Sequence, residues 1–285
     1  MNTEPHHNPP KTLIVGYGDL GQAVGERLLD AGMAVNGLSR SGRSHNSAVM
    51  LTGDVTRPES LAVLRECDPE ILLYCVAASE QSDDNYRAHY VEGLRNVLQA
   101  LGHAQRLRHV FFVSSTRVYG QKTEALLSET DPALPADFGG ERLLEAEHLL
   151  KNMTCGHTVL RLSGIYGPGR LRMINLASQP ERWPANQWSN RIHRDDAARF
   201  IAWLVHRALA GQSVDDCYLV TDSCPVPQHE VLNWLADQMG LPVQPAQPVS
   251  GGKRLSNARM LQTGFALRYP DYRSGYAALL QETAA

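Results

Sequence analysis

The first residues able to do chemistry are Gly16-Tyr17-Gly18-Asp19-Leu20-Gly21, a GxGxxG turn between an apolar run and a stretch of helical spacing. In such a turn the first glycine permits a tight bend. The second lets a phosphate approach the backbone, and the third lets helix and strand pack closely. Unpaired amides and the positive dipole end of the following helix complete the cradle. Gly16, Gly18, Asp19, Leu20 and Gly21 are therefore expected to hold the pyrophosphate of a dinucleotide. The next informative position lies about 20 residues on, where selectivity for NAD needs Asp or Glu on the ribose 2′-hydroxyl. This chain has Ser39-Arg40 there, with Arg43 close by. A hydroxyl and a guanidinium suit a 2′-phosphate, so NADP(H) is expected, with NAD(H) as the alternative. Read without a ligand, Arg40 is an exposed loop arginine. Gly53-Asp54-Val55 brings a carboxylate to the same edge, where adenine would lie. Ala77 and Ala78, also expected at the cofactor, close the longest apolar run, residues 71–78.

These positions need strands and helices in alternation to hold them. Residues 12–15 form a short strand-like run ending on Gly16. Leu20, Ala23, Val24, Leu28 and Leu29 lie on one helical face, closed by Ala31-Gly32. Further strands are expected at 33–38, 49–51, 71–76, 109–113, 158–162 and 217–220. Helices are expected from 61 and over 86–101, 141–150, 195–209 and 229–239. Strands apolar on both faces, alternating with helices, define an α/β doubly wound parallel sheet, whose strand carboxyl ends bind ligands. After residue 165 the rhythm loosens, and residues 167–190 hold three prolines, two glycines and two tryptophans. The expected organisation is a loose tail over 1–10 and a dinucleotide-binding domain of 11–166 and 191–222. A small interleaved substrate lobe takes 167–190 and 223–285.

Composition narrows the classes. The 285 residues carry 27 Lys+Arg against 30 Asp+Glu, a formal net charge of −3, which gives no support to nucleic-acid binding. The longest apolar run has eight residues, and a bilayer needs about 20. Five cysteines without a CxxC pair fit a reduced, cytoplasmic compartment. The first ten residues lack the apolar stretch of a signal peptide. Eleven histidines form no HExxH and no Cys/His metal spacing, so no metal is expected. Gly37-Leu38-Ser39-Arg40-Ser41 misses the last glycine of the hydrolase elbow, and no GxxxxGK[ST] loop occurs.

Three more segments carry a likeness to a known family. Ser114-Ser115-Thr116-Arg117-Val118-Tyr119-Gly120 is similar to its "SS..VYG" strand end. Arg161-Leu162-Ser163-Gly164-Ile165-Tyr166-Gly167-Pro168-Gly169 is similar to its "R..g.YGPG" segment. Ile192-His193-Arg194-Asp195-Asp196-Ala197-Ala198 is similar to its "IHvdDlA" stretch. From about residue 11 onward the chain resembles the extended short-chain dehydrogenase/reductases, the NAD-dependent epimerase/dehydratase family. The resemblance implies a Rossmann-type sheet with a small substrate lobe, Ser114 at the cofactor, and a catalytic Ser with a Tyr and Lys spaced YxxxK.

Ser115 matches the serine that orients a substrate oxygen. The Tyr and Lys positions do not match: one alignment gives Gly139 and Leu143, and a shift by one gives Phe138 and Arg142. Neither Gly nor Phe exchanges a proton, which marks an atypical branch. Aligning Gly93 with the family's helix glycine puts Tyr90 at a position that is usually an active-site Asn. Tyr90 is thus the candidate substitute acid, set against a core tyrosine beside Val91 and Leu94. Tyr119 and Tyr166 are expected to be structural, and His193, Asp195 and Asp196 to cap a helix. Trp183, Trp188, Arg182 and Arg191 either line a pocket or pack the lobe.

Two functional readings follow. One is a cytoplasmic NADP(H)-dependent epimerase, dehydratase or reductase of a sugar nucleotide or small carbonyl or hydroxyl compound, with Ser115 and Tyr90 at the reacting centre. The other is a catalytically inactive NADP(H) sensor that keeps the cofactor site alone. The expected partners are a small-molecule substrate and, by family likeness, a second copy in a homodimer. Neither nucleic acid nor membrane is expected.

Overall fold

A computed structural model of the protein describes residues 11–42, 47–102 and 104–284. The expected tail, 1–10, and Arg43 lie outside the described residues. In chain order come β1 (Lys11–Val15), α1 (Asp19–Asp30), β2 (Ala34–Ser39), β3 (Val49–Thr52), a 3-10 segment Pro58–Glu66, and β4 (Ile71–Tyr74). Next are α2 (Asp83–Tyr86), a π-helical turn Arg87–Glu92, α3 (Gly93–Ala100), β5 (His109–Ser115), a 3-10 turn Thr116–Val118, β6 (Leu126–Leu127) and α4 (Phe138–Leu150). β7 (Gly156–Leu162), β8 (Gly164–Tyr166), α5 (Arg172–Ala177), β9 (Trp188–Ser189), β10 (Arg191–His193), α6 (Arg194–Leu209) and β11 (Cys217–Val220) follow. The chain closes with β12 (Val226–Pro227), α7 (Gln228–Gln238), β13 (Arg254–Leu255), α8 (Ala258–Gln262) and α9 (Tyr272–Ala284).

Seven strands form one sheet in the order β11-β7-β5-β4-β1-β2-β3. The pairings from β3 through β5 are parallel. This is the α/β, Rossmann-type doubly wound fold that the alternation implies. β1 and β4 read as unbroken apolar runs because both faces are covered: Leu13, Ile14 and Val15, and Ile71 through Tyr74, have no exposed surface. β1 lies between β2 and β4, so the strand order reverses there. The carboxyl end of β1 is the switch point at which this fold binds ligands.

The helix expected over 86–101 is present as one continuous helical stretch from Asp83 to Ala100, with a π turn inside it. The Tyr74 hydroxyl on β4 donates to the carbonyl of His89. Gly93 then donates to Ala88, five residues back, and a π turn results. The helix expected from 61 is 3-10 in form and starts at Pro58.

The chain divides into two compact units. One is Met1–Val113 with Glu145–Val159 and Ile201–Asp216; the other is Ser114–Leu144 with Leu160–Phe200 and Cys217–Ala285. Both segments expected for the small lobe, 167–190 and 223–285, lie in the second. That unit has its own core, in which Val231, Leu232 and Leu235 of α7 pack with Tyr166, Tyr272 and Tyr276. No described helix is long and apolar enough to cross a membrane.

Candidate functional site

In the first unit the chain leaves β1 and turns at Gly16 with φ +91°, where any Cβ is strained. A Cβ there would also stand 2.5 Å from the carbonyl oxygen of Cys75, the residue after β4. Gly21 is as tight, since a Cβ on it would lie 2.5 Å from the Gly16 oxygen. Gly18 differs: a Cβ there would meet nothing within 4 Å. Two of the glycines are thus required by the protein's own packing, and the third leaves backbone open to an incoming group. α1 starts after Gly18 with no side-chain cap, so its first amides face that space unpaired with any capping side chain. Leu20 is buried, while Asp19 is exposed. The geometry fits a pyrophosphate.

The strand ends beside this turn carry the other expected cofactor residues. Ser39 closes β2 opposite Thr52, and its hydroxyl accepts from the Gly42 amide at 3.2 Å. Arg40 follows it, exposed. The Asp54 carboxylate accepts from the amide and hydroxyl of Thr56 at 2.9 and 2.8 Å. Burial pushes its pKa up, but the Thr56 bonds, Arg40 and Arg57 outweigh that and hold it low. Arg57 is thus a second cation beside Arg40's carboxylate partner, and nothing in its spacing singled it out. Val55 is buried, and its carbonyl accepts from Asn96 at 2.8 Å.

Past β4, Ala77 is exposed and Ala78 half-buried. The Ala78 amide donates to the Tyr90 hydroxyl at 3.4 Å. Tyr90 sits half-buried on the π turn, its ring 5.2 Å from that of Tyr86. The structure therefore brings Tyr90 to the loop after β4, and π turns of this kind recur at functional sites.

The second unit holds Ser114, buried at the end of β5, and Ser115, half-buried. The Ser115 hydroxyl accepts from the Arg117 amide at 3.2 Å. The Arg117 guanidinium grips Asp137 through Nε at 2.8 and 3.0 Å and lies 5.2 Å from the Phe138 ring centroid. A Cβ built on Gly139 would be 2.4 Å from its Cζ. At 138 and 139, where the two alignments seek a tyrosine, the chain has a phenylalanine and a glycine with the Arg117 guanidinium against both. Burial raises the Asp137 pKa, but Arg117 and the Gly140 and Gly139 amides win and lower it. Arg142 is half-buried on α4.

The remaining candidates are structural. Tyr119 is fully buried, donates to Ser128 at 3.2 Å and accepts from Arg161 at 2.6 Å; burial, opposed by Arg161, pushes it up to about 12. The Asp196 carboxylate accepts from the Arg268 and Tyr269 amides at 2.9 and 2.7 Å, so it ties a distant segment down. His193 accepts from the Asp195 amide at 3.2 Å, and its ring centroid lies 4.1 Å from that of Tyr269. Trp183 donates to Leu176, Trp188 lies under Arg254 and Arg191 over Tyr272, which is packing. Among the described residues no group of three His, Cys, Asp or Glu is placed to hold a metal.

These features define a class, and comparison with known proteins gives the family. The chain belongs to the NAD dependent epimerase/dehydratase family, whose model matches residues 12–223. A Methylobacillus flagellatus structure, a candidate NAD-dependent epimerase/dehydratase, is 50% identical over 97% of this chain and 99% of its own, with TM-score 0.88. UDP-glucose 4-epimerase from Thermus thermophilus, in complex with NAD, is 20% identical over 93% of this chain and 96% of its own, with TM-score 0.74. dTDP-glucose 4,6-dehydratase from Bacillus anthracis, in complex with NAD, is 17% identical over 93% and 94%, with TM-score 0.76. The last two share the fold alone. No curated protein matches the chain.

Proposed function

We propose that the protein is an NADP(H)-dependent oxidoreductase of the epimerase/dehydratase type, acting on a sugar nucleotide or a small carbonyl or hydroxyl compound. The observation that carries this reading is the Gly16–Gly21 turn, packed tight at two glycines and open at Gly18. Gly16, Gly18 and the first amides of α1 would hold the pyrophosphate, and Ser39 and Arg40 the 2′-phosphate. A bound nicotinamide dinucleotide supplies or accepts hydride. Ser115 would orient the substrate oxygen, and Tyr90 offers a hydroxyl at the loop after β4.

Calorimetry with NADPH and NADH tests the preference. Losing one charge-assisted contact costs about 1.5–3 kcal/mol, so Arg40→Ala is expected to weaken NADPH by about ten- to a hundredfold and to spare NADH. Equal affinity for both cofactors in both proteins removes the preference. A second reading, an NADP(H) sensor without chemistry, draws on the absence of a phenol at 138 and 139. NADPH oxidation across sugar nucleotides and small carbonyls, with Ser115→Ala and Tyr90→Phe, separates the two; binding without turnover favours the sensor. The same reading places the protein in the cytoplasm as a homodimer. A monomer mass by light scattering removes the dimer.

A further inference from the structure

One stretch of the second unit carries prolines at a fixed period. After α7 the chain reads Leu241-Pro242-Val243-Gln244-Pro245-Ala246-Gln247-Pro248-Val249-Ser250, with a proline at every third position. Proline fixes its own φ at about −65° and drives the residue before it to extended backbone. Leu241, Gln244 and Gln247 stand before the three prolines, so the sequence itself confines most of the stretch to the polyproline II form. That helix has three residues per turn and no internal hydrogen bonds. Accordingly, neither helix nor strand forms over 241–250.

The hydrogen bonds that fasten the stretch recur at the same period. The Gln244 amide donates to Asn233 Oδ1 at 2.8 Å, and its carbonyl accepts from Asn233 Nδ2 at 3.1 Å. The Gln247 carbonyl accepts from Asn186 Nδ2 at 2.8 Å, and the Ser250 amide donates to the Asn186 carbonyl at 2.8 Å. Asn233 lies on α7. Asn186 is buried, its Oδ1 accepting from the His229 amide at 3.0 Å. One edge of the ridge, 244, 247 and 250, is thus pinned. The other two edges, Pro242-Pro245-Pro248 and Val243-Ala246-Val249, are exposed, with Val243 54% and Val249 37% accessible. A loop that only joined α7 to β13 could carry polar residues there. Instead both outer edges are apolar, and no charged residue occurs from 238 through 252.

We propose that residues 242–249 are a docking ridge for a partner protein that presents a groove lined with aromatic rings. Such grooves take proline-rich segments in the polyproline II form, and a ridge already ordered loses little entropy on docking. The uncharged outer edges suit packing against rings and offer nothing to an ion pair. The partner is a different protein and not a second copy of this chain. Trp203 is the one exposed aromatic side chain among the described residues, and a single ring does not line a groove.

Titrating the methyl-labelled full chain with a purified SH3 domain and a purified WW domain, followed by NMR, tests this. At least one domain is expected to bind with Kd below about 1 mM and to shift the methyls of Val243, Ala246 and Val249. No binding by either domain overturns the proposal, as does binding that leaves those three methyls unmoved. Pro245→Ala combined with Pro248→Ala changes only exposed side chains, so the protein is expected to fold and to lose affinity by about tenfold or more. Equal affinity in that variant overturns the proposal. Asn233→Ala keeps the prolines but unfastens Gln244, so the ordering falls on binding and affinity is expected to drop about fivefold. Unchanged affinity there would show that a loose proline-rich strand serves as well, which overturns the pinned ridge. No step of the test needs a dinucleotide or turnover, so its failure is distinct from failure of the oxidoreductase reading.

Discussion

At position 139 a side chain and the Arg117 guanidinium compete for one volume. The guanidinium is held there by Asp137 on one side and the Phe138 ring on the other, so it is not a loose end that swings aside freely. Gly139→Tyr, which rebuilds the family's phenol, is therefore expected to destabilise the protein by about 1–3 kcal/mol through overpacking. Adding Arg117→Ala opens the space and is expected to recover part of that loss. Urea denaturation of the single and double variants measures both. A Gly139→Tyr protein as stable as wild type would show that Arg117 yields without cost. At this scale the Gly16–Gly21 turn was legible, because its chemistry lies within six consecutive residues. Arg117 over Gly139 was not, since the partners lie far apart in sequence and only the fold brings them together.

The elements show a similar division. β4 and β1 were legible as apolar runs because a parallel strand covered on both faces has no polar alternation to hide. The π turn after Tyr86 was not legible, because the hydroxyl that meets its His89 carbonyl lies on another strand. α3 begins at Gly93, pressed onto β4: a Cβ there would lie 2.5 Å from the Tyr74 hydroxyl and 2.8 Å from Val55. Gly93→Ala is expected to cost about 1–3 kcal/mol, although alanine is the better helix former. Tyr74→Phe in the same chain removes the nearest clash and frees the His89 carbonyl. The two changes are thus expected to couple in a double-mutant cycle, the pair costing less than the sum of the singles. Strict additivity in guanidinium denaturation would mean that the Tyr74 contact does not set where α3 sits.

For the whole molecule, two buried titratable groups of opposite sign, one in each unit, pull the pH dependence of stability in opposite directions. In the first, burial and then His157 push the His109 pKa down to about 4. Its Nε2 lies 2.9 Å from the Thr158 hydroxyl, which donates to the Asp215 carbonyl, so the neutral ring donates its Nε2–H to the Thr158 oxygen. An unfolded histidine titrates near about 6.5, so the unfolded chain binds the extra proton between about pH 4 and 6.5. His109 therefore contributes stability that is lost as pH falls through that window. In the second unit, burial pushes Asp222 up to about 7 against the pull of Arg191 and the Cys224 amide. An unfolded aspartate titrates near about 3.9; here the folded chain holds the extra proton, and stability is lost as pH rises from about 4 to 7. The two slopes oppose each other between pH 4 and 6.5. Asp222→Asn keeps an acceptor for the Cys224 amide, now at 3.1 Å from Oδ1, and removes the titration. Its stability is expected to climb with pH more steeply than wild type by up to about 1.4 kcal/mol per pH unit, and His109→Gln is expected to climb less steeply. Denaturant unfolding at several pH values across that window reads both. An Asp222→Asn curve parallel to wild type would mean that Asp222 is ionised in the folded protein throughout, its charge met by Arg191 rather than suppressed by burial.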